Sequence, residues 1–484
     1  MKRLGWALVA LCLLLAPLGA GAAALPADGW YTVRATLTGG SGRASVASPA
    51  ALTVADGVVT ATVVWSSPYY EYMVVGGETY HPVQAEGNAT FEIPITLDAD
   101  IPVSAQTVAM SEPHLIEYTL RFDSATLEPV RAGGGLGNGW QRERSMALEY
   151  ASQFSVDYYA GGYKLIRLAD GSRFLTVPEG ARAPDGIDAD IAVLRQPIAD
   201  IYLVATSAMC LFDALDALDA VGLSGTKAEG WYNENARAAM EAGDIRFAGK
   251  YSEPDYELIL ASGCPLAVES LMIAHAPQVR EKLEDLGIPV LVDRSSLEVH
   301  PLGRTEWLKL YAALLNREDV AEALFNGQAE CLNEAASKET TGKTVAFFYI
   351  SSSGYAVARK SGDYVTRMIE LAGGSYVFDD LGDPETAAST VTLEMEKFYA
   401  TAKDADFIVY NSTIGGELKT LDELIAKNAL LKDFKAVQNG NVWCTNKNLF
   451  QETTQLGRMI LDINRMLEND DPALTALEYL YKLQ

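Results

Sequence analysis

The stretch IADIYLVATSAMCLFDALDALDAVGLSG (residues 198–225) decides the fold because strand, turn and helix signals follow one another directly. Its first part, IADIYLVATS, is a short apolar run that ends in small residues. Such a run is typical of a strand buried on both faces. The next part, AMCLFDALDAL, repeats apolar residues every three or four positions, as a helix does. This order predicts one unit of a parallel α/β sheet.

The same rhythm continues toward the carboxyl terminus. YELILASGCPLAVES (256–270), QVREKLEDLG (278–287) and IPVLVD (288–293) repeat helix and strand in alternation. A second α/β run starts at KTVAFFYISSSG (343–354) and ends on the helix LGRMILDINRMLE (456–468). The pattern predicts a bilobal, Rossmann-like clamp over residues 145–484. Its lobes are expected at about 145–304 and 343–484, joined by a single long helix over 305–338.

The amino-terminal region has a different period. WYTVRATL, AALTVADGVVTATVVW, TFEIPITL and HLIEYTLRF alternate apolar and polar residues between Gly, Asp and Asn turns. Short strands at this spacing predict a β-sandwich domain over residues 25–125. RAGGGLGNGW (131–140) then contains five glycines, so residues 126–144 are expected to form a linker. The whole chain is therefore expected to be multi-domain.

The first residues predict export. Residues 1–23 carry Lys2 and Arg3, then an apolar run over about 8–18, then small residues, as in a cleaved signal peptide. Cys12 follows Leu11 inside the run, whereas a lipidated cysteine follows a small residue at its end, so lipid anchoring is the weaker alternative. We expect a mature protein in the periplasm or on the outer face of the cell envelope.

Composition and motifs argue against several classes of protein. The net charge of −26 leaves no basic stripe for nucleic acid. No Gly-x-Ser-x-Gly elbow and no phosphate-binding loop is present, so we expect no enzyme. The four histidines are too far apart for a zinc site of the usual spacing, and His81 and His275 are assigned structural roles. Four cysteines allow three disulfide pairings, with free thiols as the simpler expectation: Cys210, Cys264, Cys331 and Cys444.

The α/β region resembles the class III solute-binding proteins of ABC importers for iron-siderophores, haem and cobalamin. The resemblance implies a clamp that holds its ligand between two lobes and docks onto a membrane permease through one carboxylate on each lobe. The matching positions are Glu257, in PDYELILA, and Glu394, in VTLEMEKF. An ordinary glutamate at a helix start is the alternative. The landmarks are ATSAMCLFDALDALDAVGLSG, PDYELILASGCPLAVES, LGIPVLV, MIELAGGSYVFDD and VTLEMEKFYATAKDADFIVY.

The β domain resembles the NEAT haem-binding module in the order of DGWYTVRATL, SPAALTVADGVVTATVVW, SSPYYEYM and HLIEYTLRF. In that module a tyrosine binds the haem iron and a second tyrosine, four residues later, supports it. Here Tyr118 matches the supporting position, and His114 stands at the metal-ligand position. The alternative is a β-sandwich without haem. The residues that the resemblance places over one face of the haem are Tyr69, Tyr70, Tyr72 and Met73.

Two loops are expected to line the cleft of the clamp, because ligands of open α/β sheets bind beyond the carboxyl ends of strands. In SSLEVHPLGRTEW (295–307), Arg304 suits a carboxylate or propionate, and His300 or Glu298 suits iron. A helix cap with an Arg304–Glu306 ion pair is the alternative. In SSSGYAVARKSGDY (351–364), the candidates are Tyr355, Arg359 and Tyr364. The further cleft candidates are Ser207, Met209, Trp231, Tyr232, Glu269 and Asn446.

The sequence features, together with what the resemblance implies, predict a monomeric, exported receptor that captures an iron complex and delivers it to an ABC importer. The complex is a ferric siderophore or haem, carried as cargo, and no intrinsic cofactor is expected. One alternative keeps transport but changes the cargo to cobalamin or another corrinoid. An alternative of another class is a cell-envelope adhesion or scaffolding protein without a transport ligand.

Overall fold

The computed structural model describes residues 29–40, 44–55, 58–83, 88–108, 114–130, 140–184, 186–382, 389–468, 471 and 473–484. The predicted signal peptide (1–23) and the glycine-rich core of the predicted linker (131–139) lie outside these residues. No helix among the described residues is long and apolar enough to cross a membrane.

The amino-terminal strands form one antiparallel sheet in the order β5-β4-β7-β8-β1-β2-β3-β6. Alternate residues face a single apolar core whose largest fully buried members include Trp65, Phe91 and Phe122. Period-two patterning therefore predicted this strand-rich region correctly. The strands are β1 Gly29–Gly39, β2 Ala50–Ala55, β3 Val58–Val64, β4 Tyr70–Val75, β5 Glu78–Tyr80, β6 Thr90–Pro94, β7 Asp100–Thr107 and β8 His114–Val130.

A five-stranded sheet follows in the order β13-β12-β11-β10-β9. Its neighbours are antiparallel except for β12 and β13, which run parallel. The β11–β12 hairpin corresponds to the stretch YKLIRLADGSRFLTVP. The strands are β9 Arg142–Ser145, β10 Phe154–Tyr159, β11 Tyr163–Leu168, β12 Arg173–Val177 and β13 Ile191–Arg195.

The opening stretch forms the centre of a parallel sheet, as predicted, with the order β16-β15-β14-β19-β20. A separate two-stranded ribbon, β17–β18, precedes α3. The elements are β14 Ile201–Leu203, α1 Met209–Ala214, β15 Val221–Ser224, α2 Glu234–Ala242, β16 Arg246–Phe247, β17 Gly249–Lys250, β18 Glu253–Pro254, α3 Tyr256–Ala261, β19 Ala267–Ser270, α4 Pro277–Asp285 and β20 Val290–Asp293.

The predicted single helix over 305–338 is wrong, since the structure has two helices there, α5 Pro301–Leu315 and α6 Glu318–Ala336. Asn316 adopts a left-handed conformation (φ 58°) and ends α5. Lys164 caps this end by donating from Nζ to the Ala313 carbonyl at 2.9 Å. Most buried residues of α5 belong to the apolar core that also contains β10, β11, β12 and β14. Most buried residues of α6 belong to the core of the carboxyl-terminal sheet, which is described next. We therefore call residues 140–315 the first lobe and residues 318–484 the second lobe.

The second lobe contains a mixed sheet in the order β24-β22-β21-β25-β26-β27, with β23 beside β21. Strands β21, β25 and β26 run parallel, and β22, β24 and β27 run antiparallel to their neighbours. The elements are β21 Thr344–Ile350, β22 Ala356–Arg359, α7 Tyr364–Leu371, β23 Ser375–Tyr376, β24 Thr390–Leu393, α8 Met395–Ala402, β25 Phe407–Tyr410, α9 Ser412–Gly415, α10 Leu421–Lys427, α11 Lys435–Gln438, β26 Val442–Thr445, α12 Leu456–Glu468 and β27 Leu480–Lys482.

Candidate functional site

A cavity of about 400 Å³ lies between the two lobes. Its volume is in the lower part of the range typical of small-molecule pockets. Hydroxyl groups and one guanidinium dominate the first-lobe wall, while apolar side chains dominate the second-lobe wall. The lining residues are Thr206, Ser207, Ser296 and Arg304 from the first lobe, and Tyr364, Leu449, Phe450, Thr453 and Leu456 from the second.

The first-lobe wall follows from the parallel sheet. Ser207 lies in the turn after β14, and Ser296 lies in the turn after β20, so both come from carboxyl ends of parallel strands. Asp293, the last residue of β20, holds the second turn by accepting hydrogen bonds from the Ser295 amide at 3.0 Å and the Tyr311 hydroxyl at 2.6 Å. Packing of α5 against the sheet thus fixes the hydroxyl-bearing turn.

Arg304 is the charged member of the cavity wall. Its Cζ lies 3.9 Å from the centre of the Tyr364 ring, in the geometry of a cation–π contact. Its Nε has no hydrogen-bond partner among the described residues. The other eight lining residues carry no charge. The guanidinium in the cavity wall suits an oxygen atom of a ligand, because an arginine pairs well with carboxylates and other oxyanions.

Arg359 lies behind the wall and does not line the cavity. It is buried, pairs with Asp363 at 3.2 Å, and leaves its Nη2 without a partner among the described residues. Its Cζ is 5.4 Å from the ring centre of Phe450, which does line the cavity. Asp363 also accepts a hydrogen bond from the Val365 amide at 2.8 Å and caps α7, the helix that carries Tyr364. Arg359 thus supports the second-lobe wall.

Glu298 and His300, two predicted iron ligands, have structural partners. The Glu298 carboxylate is buried and accepts hydrogen bonds from the Ser152 and Gln153 amides and from Trp307 Nε1, at 2.8, 3.0 and 3.0 Å. His300 Nδ1 accepts from the Leu302 amide at 3.1 Å, so His300 caps α5. Neither residue lines the cavity.

Arg304 and Glu306, the alternative ion pair, each contact other residues. The Glu306 carboxylate accepts hydrogen bonds from Lys309 at 2.9 Å and from the Tyr150 and Ala151 amides at 2.8 Å. Arg304 points instead to Tyr364. Glu306 therefore ties the segment before β10 to α5, while Arg304 lines the cavity.

Three other predicted cleft residues are apart from the cavity wall. Trp231 is buried in the first lobe, and its Nε1 donates to Ser224 Oγ at 3.2 Å. Tyr232 is exposed, and its backbone amide contacts the second lobe at Gln451. Tyr355 is exposed in the turn between β21 and β22.

Of the less specific candidates, Ser207 does line the cavity. Met209 belongs to the first-lobe core. Asn446 donates to the Glu478 carbonyl at 2.9 Å. Glu269 is fully buried in β19, and both carboxylate oxygens lack a partner among the described residues. Burial raises the pKa of this carboxyl to about 8, so it is mostly protonated at neutral pH.

The two predicted docking carboxylates are exposed at helix starts. Glu257 lies in the first turn of α3, after the capping residue Asp255. Glu394 is the N-cap residue of α8, and its side chain makes no capping hydrogen bond. Both carboxylates are therefore available to a partner, one on each lobe.

The predicted haem residues of the β domain form part of its core. Met73 and Tyr118 are buried, as is Tyr70. The Tyr70 and Tyr118 hydroxyls are 3.1 Å apart, and Trp65 Nε1 donates to the Met73 sulfur. These side chains pack on one another and offer little surface to a ligand.

The remaining predicted haem residues lie outside that core. Tyr69 and His114 are exposed, and Tyr72 donates from its hydroxyl to Gln106 at 2.7 Å. His114 pairs with Thr107 in register, at the end of the strand that carries Tyr118. The two residues thus share a strand face, as predicted, with Tyr118 buried and His114 exposed.

The sequence analysis missed most of the second-lobe wall. Leu449, Phe450 and Thr453 follow β26 in NLFQETTQL, and Thr206 and Ser296 complete the hydroxyl-bearing turns. The available signal was positional: a loop after the buried strand VWCT belongs at the same edge as the other ligand loops. No feature of its residue types distinguishes it from a packing loop.

The described cysteines are free thiols, as expected: Cys210, Cys264, Cys331 and Cys444. Burial raises the pKa of Cys210 and of Cys444 to about 12, so neither is a thiolate at neutral pH. No group of three or more His, Cys, Asp or Glu residues in the described part of the chain has the geometry to hold a metal ion.

A sequence model of the family described as "Periplasmic binding protein" matches residues 204–449, a little over half of the chain. Two relatives are named as uncharacterized lipoproteins of Methanocaldococcus jannaschii. One is 26% identical over 328 residues, which are 63% of this chain and 77% of the relative. The other is 24% identical over 356 residues, which are 70% of this chain and 87% of the relative.

Three solved structures are similar to parts of the chain. The periplasmic haem-binding protein HutB of Vibrio cholerae is 17% identical with a TM-score of 0.45, over 54% of this chain and 97% of that one. A structure described as an ABC-type Fe3+-hydroxamate transport system of Saccharomonospora viridis is 20% identical with a TM-score of 0.43, over 56% of this chain and 93% of that one. The vitamin B12-binding protein BtuF of Vibrio cholerae is 17% identical with a TM-score of 0.41, over 56% and 97%. At these TM-scores they do not identify a ligand for this chain.

Proposed function

The chain belongs to the periplasmic binding protein family, and from this premise we propose that it is the solute-binding component of an ABC importer. The proposed protein is exported, binds a small molecule between its lobes and presents that molecule to a membrane permease. Its role is binding rather than catalysis.

The observation that carries this proposal is the cavity between the lobes with the guanidinium of Arg304 in its wall. A guanidinium that lines a cavity offers charged hydrogen bonds to a carboxylate or another oxyanion of a ligand. A scaffolding protein, the alternative of another class, has no need of such a donor beside a cavity.

We further propose that the cargo is an anionic iron complex, either a ferric siderophore or haem with its propionate groups. Arg304 supplies positive charge, the hydroxyls of Thr206, Ser207 and Ser296 supply hydrogen bonds, and Phe450 supplies an aromatic surface. The alternative cargo, cobalamin, is larger and lacks a carboxylate. The arginine in the cavity wall favours the anionic complex, because a guanidinium pairs well with carboxylates.

The proposed docking contacts are Glu257 on the first lobe and Glu394 on the second. Both are exposed, and each lies at the start of a helix. One carboxylate on each lobe gives the permease two points of charge pairing, which set orientation more than affinity.

The β domain is proposed to have a role separate from the cargo cavity. The buried Tyr70–Tyr118 pair argues against haem binding between the strands, whereas the exposed His114 is free to bind haem at the domain's end. Haem titration of the full chain and of His114→Ala tests this: an absorbance band that the variant loses assigns haem to His114.

The transport proposal is tested by isothermal titration of the purified full chain with ferric enterobactin, ferrioxamine B, hemin and cyanocobalamin. Binding of ferric enterobactin or hemin that is weakened in Arg304→Ala supports the proposal, whereas binding of ferrioxamine B alone, a complex without negative charge, contradicts an anionic cargo. If only cyanocobalamin binds, the cargo is a corrinoid rather than an iron complex. If none of the four ligands binds, the proposed cargo is wrong.

A further inference from the structure

The loop between β26 and α12 belongs to the second lobe but reaches the first. We call residues 446–455 the closing segment. It supplies three residues of the cavity wall, Leu449, Phe450 and Thr453. Any displacement of this segment therefore changes the wall against which a ligand rests.

Gln451 lies in the middle of the closing segment and makes two hydrogen bonds across the lobes. Its Nε2 donates to the Gly230 carbonyl at 2.9 Å, and its Oε1 accepts from the Tyr232 amide at 2.8 Å. The amide thus uses one donor and one acceptor on complementary backbone groups. Thr305 adds a third interlobe contact, since its hydroxyl donates to the Thr453 carbonyl at 2.8 Å.

The first-lobe partner of Gln451 is well fixed. Gly230 and Tyr232 flank Trp231, which is buried and donates from Nε1 to Ser224 Oγ in β15. The backbone of Gly230 and Tyr232, to which Gln451 is hydrogen-bonded, is therefore held in place by the core of the first lobe. A hydrogen bond to a rigid partner orients the closing segment more strongly than one to a mobile loop.

We propose that Gln451 is a positioning residue for ligand binding, which holds the closing segment against the first lobe and thereby keeps Phe450 and Thr453 in contact with bound ligand. The residue does not line the cavity and acts through its neighbours in sequence. The inference rests on the proposed function only in requiring that ligand occupies this cavity. Its main consequence is slow release of ligand from the closed lobes.

Gln455 provides a matched control in the same segment. It accepts a hydrogen bond from Gln328 Nε2 at 3.2 Å, and Gln328 lies on α6 of the second lobe. Replacing Gln455 with alanine removes a side-chain amide whose hydrogen bonds to described residues lie within the second lobe. A general weakening of the segment affects both variants, whereas the proposed role belongs to Gln451 alone.

The first experiment measures lobe closure without any ligand. Spin labels are placed at two exposed positions, with Leu260→Cys in the first lobe and Leu430→Cys in the second, in a Cys331→Ser background. In Gln451→Ala, we expect the distance distribution to widen toward longer distances, while Gln455→Ala keeps the wild-type distribution. An unchanged distribution in Gln451→Ala, or equal widening in both variants, overturns the proposal.

The second experiment measures release of ferric enterobactin and of hemin by stopped-flow. For whichever complex binds, we expect Gln451→Ala to release it about tenfold faster, because two hydrogen bonds that close the lobes are lost, with a smaller effect on association. Equal release rates overturn the proposal. If neither complex binds, the distance measurement still decides the role of Gln451, and only the proposed cargo fails.

A third variant separates positioning from simple packing. In Gln451→Glu, a protonated carboxyl donates to Gly230 and accepts from Tyr232, as the amide does, whereas the ionised form cannot donate. We expect wild-type closure at pH 4 and wider distances at pH 7. Burial, with the charges of Asp213 and Glu478, raises the pKa of Glu452, while the hydrogen bond from Asn448 lowers it. Because Glu452 also titrates in the wild type, the wild type at both pH values is the reference. The same distances at both pH values contradict the proposed hydrogen bonds.

Discussion

The guanidinium of Arg304 in the first lobe lies over the ring of Tyr364 in the second lobe, with 3.9 Å from Cζ to the ring centre. Arg304 belongs to α5 and Tyr364 begins α7. The two residues are 60 positions apart in the sequence and face the same cavity. The contact orients the guanidinium in the cavity wall, where a ligand carboxylate can pair with it.

Arg304→Ala is expected to weaken binding of the anionic cargo by about 10- to 100-fold, the effect of losing a charged hydrogen bond. Arg304→Lys is expected to bind with intermediate affinity, because lysine keeps the charge but lacks the planar fork. Arg458→Ala is the control, since Arg458 is exposed and pairs with Glu478. Titration calorimetry measures all three variants. Wild-type affinity in Arg304→Ala contradicts the assignment.

Charge reversal at both docking positions, Glu257→Arg with Glu394→Arg, is expected to abolish uptake and leave cargo affinity unchanged. Both side chains are exposed and neither lines the cavity, so their replacement removes only charge pairing with the permease. Glu396→Arg, a reversal in the first turn of the same α8, is the control. Uptake into vesicles that carry the importer gives the measurement, and normal uptake by the double variant refutes the docking role.

At pH 8.5, Glu269→Gln is expected to be more stable than the wild type. At pH 4.5, the two are expected to have similar stability. Burial raises the pKa of Glu269 from 4.5 to about 8, so its contribution to stability is full below pH 4.5 and is lost as the pH rises through 8. The shift corresponds to roughly 5 kcal/mol, at about 1.4 kcal/mol for each pKa unit. Thermal unfolding at both pH values measures the difference. The exposed Glu253→Gln is the control, and equal melting temperatures of Glu269→Gln and wild type at pH 8.5 argue against a buried, protonated carboxyl.

As the pH falls from 6.5 to 4, His300→Asn is expected to lose less stability than the wild type. Burial lowers the pKa of His300 to about 4, with a further contribution from Arg367, so the neutral ring stabilises the fold above pH 6.5 and that stability is lost as the pH falls toward 4. Asparagine keeps an acceptor for the Leu302 amide and does not titrate. Melting temperatures measured across this range test the expectation, and an unchanged slope in the variant contradicts it.

Local patterns in the sequence account for much of the fold. Alternation with period two in HLIEYTLRF and the strand–turn–helix order in residues 198–225 both depend on neighbours within a few positions, and both were predicted correctly. The break between α5 and α6 also has a local cause, the left-handed Asn316 in LLNRED, but asparagine is tolerated inside helices often enough to hide it. Capping by the distant Lys164 then stabilises the helix end.

Part of the candidate site was also predictable from the sequence, and part was not. The sequence by itself determined that Arg304 and Tyr364 follow strand ends where ligand loops belong, and both line the cavity. Only the tertiary structure decided that Glu298 and His300 accept hydrogen bonds from backbone amides. It also decided that Gln451 donates a hydrogen bond to the Gly230 carbonyl of the first lobe. Gln451 and Gly230 are separated by 221 residues, and their meeting depends on how the two lobes pack. Residue type tells which hydrogen bonds a side chain is able to make, whereas the packing of distant elements selects the ones it does make.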